Sequence, residues 1–370
     1  MRFDGGSYIT PKGVNQDVLD EIAAGKEHFL YHFGIGIKIG APIIRDVRDM
    51  IGKVFLIDPS QLRDMLGDLR FVVGCGKPNR VRKFAPQVAE AIGAKPPSGW
   101  AFRDMLQSTA FGLMPMIKPD GFVSTGGWRP IGDMGRYTTI KCGPILISSH
   151  GMGFGSAEIW IEEMAMLLHI AGVHDQVELI RLGTGGGVDM KKGEIFIAKQ
   201  AVNQDLMPYH YVNTGEGGVY LYDASASPEI TAGLIAAARR VGFIVHSGAV
   251  LSVDGFYGPQ FRRDGGTASP LVPEEQMRIL AKLRDELGIK MMEMEALVIL
   301  SRAKAAGIAA SLCNVAIVTR EQGDQIDSKP HELADFDTRP ATVIQEYMRG
   351  RLAEEGAIPW RRHNPLGRAA

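Results

Sequence analysis

Cysteine is scarce in this chain: three residues, Cys75, Cys142 and Cys313, among 370, with no C-x-x-C spacing. So few thiols make neither a disulfide framework nor a zinc knuckle, and they point to a reducing, cytosolic setting. Excess charge is missing too. With a formal net charge of −1, no bulk attraction to nucleic acid or to an anionic membrane is expected, and any recognition of anions must be local. No uncharged apolar stretch reaches the roughly 18 residues that a membrane span needs, and residues 1–10 carry no apolar signal core.

Several catalytic signatures are also lacking. A dinucleotide fold wants G-x-G-x-x-G, but the pairs Gly74/Gly76, Gly151/Gly153 and Gly183/Gly185 are followed at the third place by Asn79, Ser156 and Val188. A P-loop needs Gly-Lys before Ser or Thr, whereas the Gly-Lys pairs run on to Glu27, Val54 and Pro78. There is no G-x-S-x-G elbow and no H-E-x-x-H helix, and the nine histidines are scattered, which argues against a metal catalyst.

What is present is ordinary for a globular protein, 45% hydrophobic and 22% charged, with apolar segments that alternate in period. Strands are predicted at residues 70–73, 144–149, 177–182, 195–201, 219–222, 243–253 and 309–319. Helices are predicted from Asn15, over 46–67, after Arg80, from Ser156 as a cap, and over 227–241, 273–288, 290–307 and 339–352. Alternating strands and helices predict an α/β fold, a three-layer α/β/α sandwich with a mixed, largely parallel central sheet, in which ligands sit beyond the carboxyl ends of the strands. Residues 1–44 read as an arm and 45–352 as one domain, with an irregular, Gly-, Pro- and Met-rich excursion at about 86–130. Residues 353–370 read as a basic tail.

The run V-E-L-I-R-L-G-T-G-G-G-V-D at 177–189 stands out. After its strand, residues 183–187 are expected to turn. They form either an anion cradle, with Arg181 and Thr184 beside it, or an ordinary glycine-rich strand-to-helix connection. Arg80, Arg181, Arg262 and Arg320 all stand at or just past strand ends, an arrangement that suits a phosphate or a carbonyl-rich ligand. Gln260 and Arg262 donate in fixed directions, as a flat heterocycle with two carbonyls would require. Glu293 and Glu295 favour the positive end of a helix or serve chemistry. His32, between Tyr31 and Phe33, reads first as packing.

Together the motifs L-Y-H-F-G, G-K-P-N-R-V, S-H-G-M-G, I-R-L-G-T-G-G-G, F-Y-G-P-Q-F-R, M-E-M-E and R-E-Q-G-D-Q-I resemble, in order, those of nucleoside phosphorylases of the uridine phosphorylase type, eukaryotic branch, from about residue 27 to 348. The resemblance implies phosphorolysis of a pyrimidine nucleoside with inorganic phosphate as co-substrate and no other cofactor. It assigns phosphate to Gly76, Arg80, Arg181 and Thr184, with Arg136 reaching in from a neighbouring subunit. It assigns the base to Gly185, Gly186, Phe256, Gln260, Arg262 and Arg320, and the ribose to Glu293, Met294 and Glu295. Tyr31 and His32 would be lent by the partner, so a homodimer with shared sites is implied, its interface including the N-terminal arm. Arg181, Glu295 and Arg262 carry the chemistry.

The sequence also departs from the family in ways that bear on specificity. Thr319-Arg320 stands where purine-preferring relatives have Ser-Asp, which favours uridine over a purine nucleoside. Gly185 replaces a hydroxyl residue, leaving thymidine and other nucleosides open. Tyr137 replaces a glutamate that helps hold a monovalent cation in some bacterial members, so no metal is implied. A purine phosphorylase, a nucleoside hydrolase and a non-catalytic relative of the same fold are the competing readings.

Overall fold

The computed structural model describes residues 12–30, 32–33, 35–41, 55–92, 113–117, 128–130, 136–215 and 218–356. Two compact units interleave along the chain: the first comprises residues 15–151, 163–182 and 341–370, the second 1–14, 152–162 and 183–340.

In the first unit α1 (Gln16–Ala23) starts where Asn15 accepts from the Val18 N–H. Strands β1 (His28–Leu30), β2 (Ile35–Ile37) and β3 (Phe55–Ile57) form a small sheet. Helix α2 (Pro59–Leu66) is opened by an Asp58/Gln61 capping box and Pro59. The helical period expected over 46–67 is therefore corrected: residues 55–57 are strand, and the cap and proline start the helix later. Residues 42–54 lie outside the described residues.

Strand β4 (Phe71–Cys75) is buried throughout. Helix α3 (Pro78–Ala91) continues through Pro86, so residues 86–91 are helix rather than the start of the irregular excursion expected there. An internal proline costs about 3 kcal/mol; Val81, Phe84, Ala85, Val88 and Ala89, all buried on this helix, offset it. Strands β5 (Leu113–Ile117) and β6 (Trp128–Pro130) follow, then β7 (Thr139–Cys142) and β8 (Ile145–Ser149). Strand β4 pairs in parallel with β8 and with the first half of β9 (Glu178–Gly187). Strand β7 is antiparallel to β8 and parallel to β5, and α3 covers β4, β7 and β8.

The chain changes units inside α4 (Phe154–Ala171) and again inside β9. Ser156 does not cap α4: it lies within the first turn, and the Gly153 carbonyl accepts from the Ala157 N–H. Gly151 and Gly153, both at positive φ, make the turn.

The second unit contains β10 (Ile195–Val202), the ribbon β11 (Tyr209–Asn213) and β12 (Val219–Asp223), α5 (Pro228–Arg240), β13 (Val245–Ser252), α6 (Pro273–Asp285), β14 (Ile289–Glu293), α7 (Ala296–Ala305), β15 (Ala309–Thr319) and most of the first half of α8 (Pro330–Glu354). Strands β14, β13, β10, β15 and the second half of β9 are neighbours in that order, and an added β14–β9 pairing closes them into a small barrel. Helices α5 and α7 pack on β10, β13 and β15, and α6 on β14. The helix expected over 290–307 is also corrected: Ile289–Glu293 is a strand paired with β13, and α7 starts at Ala296. A short apolar run does not by itself distinguish a strand from a buried helix.

The largest correction concerns residues 183–187. They are strand, not turn, and none of these glycines has positive φ. A Cβ on Gly185 would lie 2.8 Å from the Met291 side chain and the Met292 carbonyl, one on Gly186 2.8 Å from Arg320, and one on Gly187 2.8 Å from Met190. Glycine is used here for close approach inside a tightly closed barrel. Gly185→Ala is expected to destabilise the protein by about 1–3 kcal/mol in denaturant unfolding. Gly266→Ala, whose Cβ would meet nothing within 4 Å, should stay within about 0.5 kcal/mol of wild type.

Candidate active site

The residues selected from sequence fall into two groups, one in each unit. In the first unit Arg181 of β9 is paired in register with Gly74 of β4, so a buried guanidinium runs beside a residue with no side chain. Gly76 follows β4, and a Cβ there would sit 3.3 Å from the Gly151 carbonyl. Arg80 is half-buried in the first turn of α3, where the helix start adds partial positive charge and the Lys77 side chain makes no cap. Arg136 is exposed. These are the groups an anion needs: glycine-edged backbone, a helix start and arginines.

His32 is more than packing. The Glu163 carboxylate accepts from the backbone N–H of His32 (3.0 Å) and Phe33 (3.0 Å) and lies 2.7 Å from His32 Nδ1. Tyr137 stacks obliquely against both rings. Tyr31 lies outside the described residues. Sequence reasoning did not single out Glu163, and only its place in a long acidic helix hinted at it. Nor did it single out His150, wholly buried beside Gly76, whose N–H donates to the Cys75 carbonyl.

In the second unit β13 and β14 end side by side, with Ser252 opposite Glu293 and the Val253 N–H on the Glu293 carbonyl. The two acids then divide their work. The Glu293 carboxylate accepts from the N–H groups of Glu295 (2.9 Å) and Ala296 (3.0 Å), which close the start of α7. This is the helix-end role anticipated for the pair. Glu295 instead turns away and accepts from the Gly153 N–H at 2.6 Å. The thioether methyl of Met294 lies 3.4 Å from where a Gly153 Cβ would be.

The loop after β13 carries the other half of this group. Phe261, at φ 57, bends the chain between Gln260 and Arg262. Arg262 forms a two-pronged pair with Asp264 (3.1 and 2.9 Å), donates to the Asp324 carbonyl, and stacks 4.2 Å over the Phe256 ring. Arg320, 1% exposed, is bound to the Asp324 carboxylate (2.9 Å) and to the Gln260 carbonyl (2.9 Å). Burial pulls its pKa down from the usual arginine value, and Asp324 opposes this. Asp324 also accepts from Gln276 and from the Arg263 N–H. Arg320 thus builds the loop through its contact with the Gln260 backbone. Gly185 and Gly186 lie under Met291 and Arg320 rather than offering a side-chain position. Asp264, Asp324 and Gln276 were missed from sequence, although an aspartate follows each arginine, Asp264 after Arg262 and Asp324 after Arg320.

A cavity of about 200 Å³ adjoins this group, lined by Phe154, His210, Ser252, Asp254 and Leu297 among others. None of the sequence-selected residues lines it. Burial lowers the His210 pKa to about 4, leaving a neutral imidazole. Among the described residues no three His, Cys, Asp or Glu side chains are grouped to hold a metal ion, and no helix is long and apolar enough to cross a membrane.

Known proteins are similar to this chain in sequence and in fold. A family model described as the phosphorylase superfamily matches residues 120–346. The chain belongs to that superfamily. Uridine phosphorylase A of Schistosoma mansoni is 30% identical over 290 residues, 78% of this chain and 86% of the relative. Inactive uridine phosphorylase B of the same organism is 27% identical over 78% and 86%. Among solved structures, uridine phosphorylase from Schistosoma mansoni in complex with uracil superposes with a TM-score of 0.69 at 26% identity, covering 92% of this chain and 99% of that one. The nucleoside phosphorylase α/β fold expected from sequence is the fold of the chain, and its relatives are uridine phosphorylases.

The different contacts of the two acids predict different effects of their removal. Glu293→Ala strips the partner from buried N–H groups and should cost roughly 2–4 kcal/mol in denaturant unfolding. Glu295→Ala should cost less stability.

Proposed function

We propose that the chain catalyses the reversible phosphorolysis of uridine, giving uracil and ribose 1-phosphate, with inorganic phosphate as co-substrate and no other cofactor. The observation that carries this reading is the loop at 256–262, which follows a strand paired with the one that ends at the two acids: a buried amide, Gln260, and a buried guanidinium, Arg262, share it, and Arg262 lies 4.2 Å over the Phe256 ring. A flat ring with carbonyl acceptors and an attached sugar is the ligand such donors and acceptors suit.

Phosphorolysis leaves an electron-poor sugar carbon between an arriving phosphate and a departing base. Here Arg80, Arg181, Gly76 and Thr184 hold the phosphate, and Glu295, with Met294, orients the ribose. Gln260 and Arg262 stabilise negative charge that builds on the leaving uracil. The reaction needs no covalent enzyme intermediate. Thr319-Arg320 supports a pyrimidine over a purine, because the Asp324 carboxylate nearby is bound by Arg320 and Gln276. The active assembly in this reading is a homodimer in which Arg136 and the Tyr31–His32 segment serve the neighbouring site. The enzyme works in the cytosol, in pyrimidine salvage or catabolism, where buried free thiols such as Cys75, Cys142 and Cys313 stay reduced.

A second reading, a fold that no longer turns over, is favoured by the similarity to an inactive relative. Purified protein incubated with uridine and phosphate decides between them: uracil release that depends on phosphate is expected, and its absence at high enzyme concentration would leave the inactive reading. Inosine should be turned over far more slowly. Arg262→Ala should lower uridine turnover by about 100-fold, against little change for Lys199→Ala at an exposed site. Mixing Arg136→Ala with Arg80→Ala subunits should restore activity in verified heterodimers, since one of the two sites then has both arginines; no recovery would exclude sharing.

A further inference from the structure

The base-reading arginine has one free edge, and a carboxylate chooses which. Guanidinium carries five N–H donors in a planar fork. In Arg262, Nε donates to one Asp264 oxygen (3.1 Å), and Nη2 donates to the other (2.9 Å) and to the Asp324 carbonyl. One face of the fork lies 4.2 Å over the Phe256 ring, and Tyr257 stands 6.0 Å away. Among the described residues, Nη1 is the edge with no hydrogen-bond partner. Asp264 is itself held, with Gln325 donating to it at 2.5 Å, and its side chain is mostly buried.

We propose that Asp264 is a positioning residue for base recognition: its two-pronged grip on Arg262 fixes the fork so that the Nη1 edge alone is presented to a carbonyl of the pyrimidine. The inference deepens the proposed function and rests on it. A lone arginine on a surface loop would sample many rotamers and lose that entropy on each binding event. Here the loss is met on folding, by a carboxylate placed two residues along the same loop. The Arg262 hydrogen bond holds the Asp264 carboxyl below its ordinary range, so the pair stays ionised through neutral pH. Arg320 and Asp324 support the same loop from beneath but have their donors and acceptors committed to one another, to Gln260, to Gln276 and to the Arg263 N–H. Asp264 is therefore the group whose removal frees the base-reading fork while leaving the buried Arg320 pair intact.

The test is a binding cycle on the full-length protein. Equilibrium affinities of uracil, 2-thiouracil and 4-thiouracil are measured by calorimetry in phosphate buffer for wild type, Asp264→Asn and Asp264→Glu, with thermal unfolding checked for each. Sulfur is a weak acceptor, so replacing the carbonyl that Nη1 meets removes that bond. Asp264→Asn should weaken uracil binding by about tenfold or more. For one of the two thio-ligands, the one altered at the carbonyl that Arg262 reads, the wild-type-to-variant ratio should shrink toward one. Asp264→Glu, which keeps the charge, should regain part of the affinity, and it carries the same cycle if the Asn variant does not fold. A general loosening of the loop would lower all three affinities by one common factor, and that result, or unchanged uracil binding in both variants, overturns the proposal. Wild-type protein that binds neither uracil nor uridine overturns the functional reading instead, and this inference with it.

Discussion

The closeness with which β9 passes Arg320 is the constraint on which the loop at 256–264 is built. At Gly186 a single added carbon would come within 2.8 Å of the Arg320 side chain. Because that carbon is absent, the arginine lies flat under the strand, wholly buried, and can bind the Asp324 carboxylate and the Gln260 carbonyl together. A buried cation is tolerable only when paired and hydrogen-bonded. Asp324 supplies that partner, and it also anchors Gln276 and the Arg263 backbone, so that one glycine governs the posture of a whole loop.

Electrostatic preorganisation follows from this layering. Catalysis of a departing anion depends on donors that need not reorganise as charge develops. The proposed function draws such donors from two tiers of charge. Arg320 and Asp324 neutralise each other below, and Arg262 and Asp264 above leave part of one guanidinium uncommitted. The acids at the end of β14 are layered similarly. Glu293 is committed to closing the start of α7, and Glu295 accepts from the Gly153 N–H. In each pair one member is structural, which holds the other in place.

Much of this was legible in the residue order. Strands β4, β8, β13 and β15 and helices α1, α5 and α6 were readable because caps such as Asn15 and Ser227 and uninterrupted apolar runs agree with the final contacts. Elements were misread where two periods compete over a few residues. Ile289–Glu293 is apolar enough for a buried helix, and only its neighbours β13 and β9 make it a strand. The irregular excursion was expected from about residue 86, yet the buried face of α3 carries the helix through Pro86 and outweighs one lost hydrogen bond. Glycines 183–187 looked like a turn because glycine permits turns, but it also permits contact, and sequence cannot say which freedom is used.

The residue order by itself determined which side chains are available to the chemistry. The arginines, Gln260 and the M-E-M-E acids are chemical types, and their types suit a ligand that is anionic and carbonyl-bearing. It could not determine which member of each pair is committed to the scaffold. That was decided by tertiary structure alone, since whether Glu293 or Glu295 meets a helix end, and how many donors Arg262 and Arg320 each spend on protein, depends on the distances between segments far apart in the chain. A hydrogen bond is set by the positions of both its ends, and the chain order names only one of them at a time.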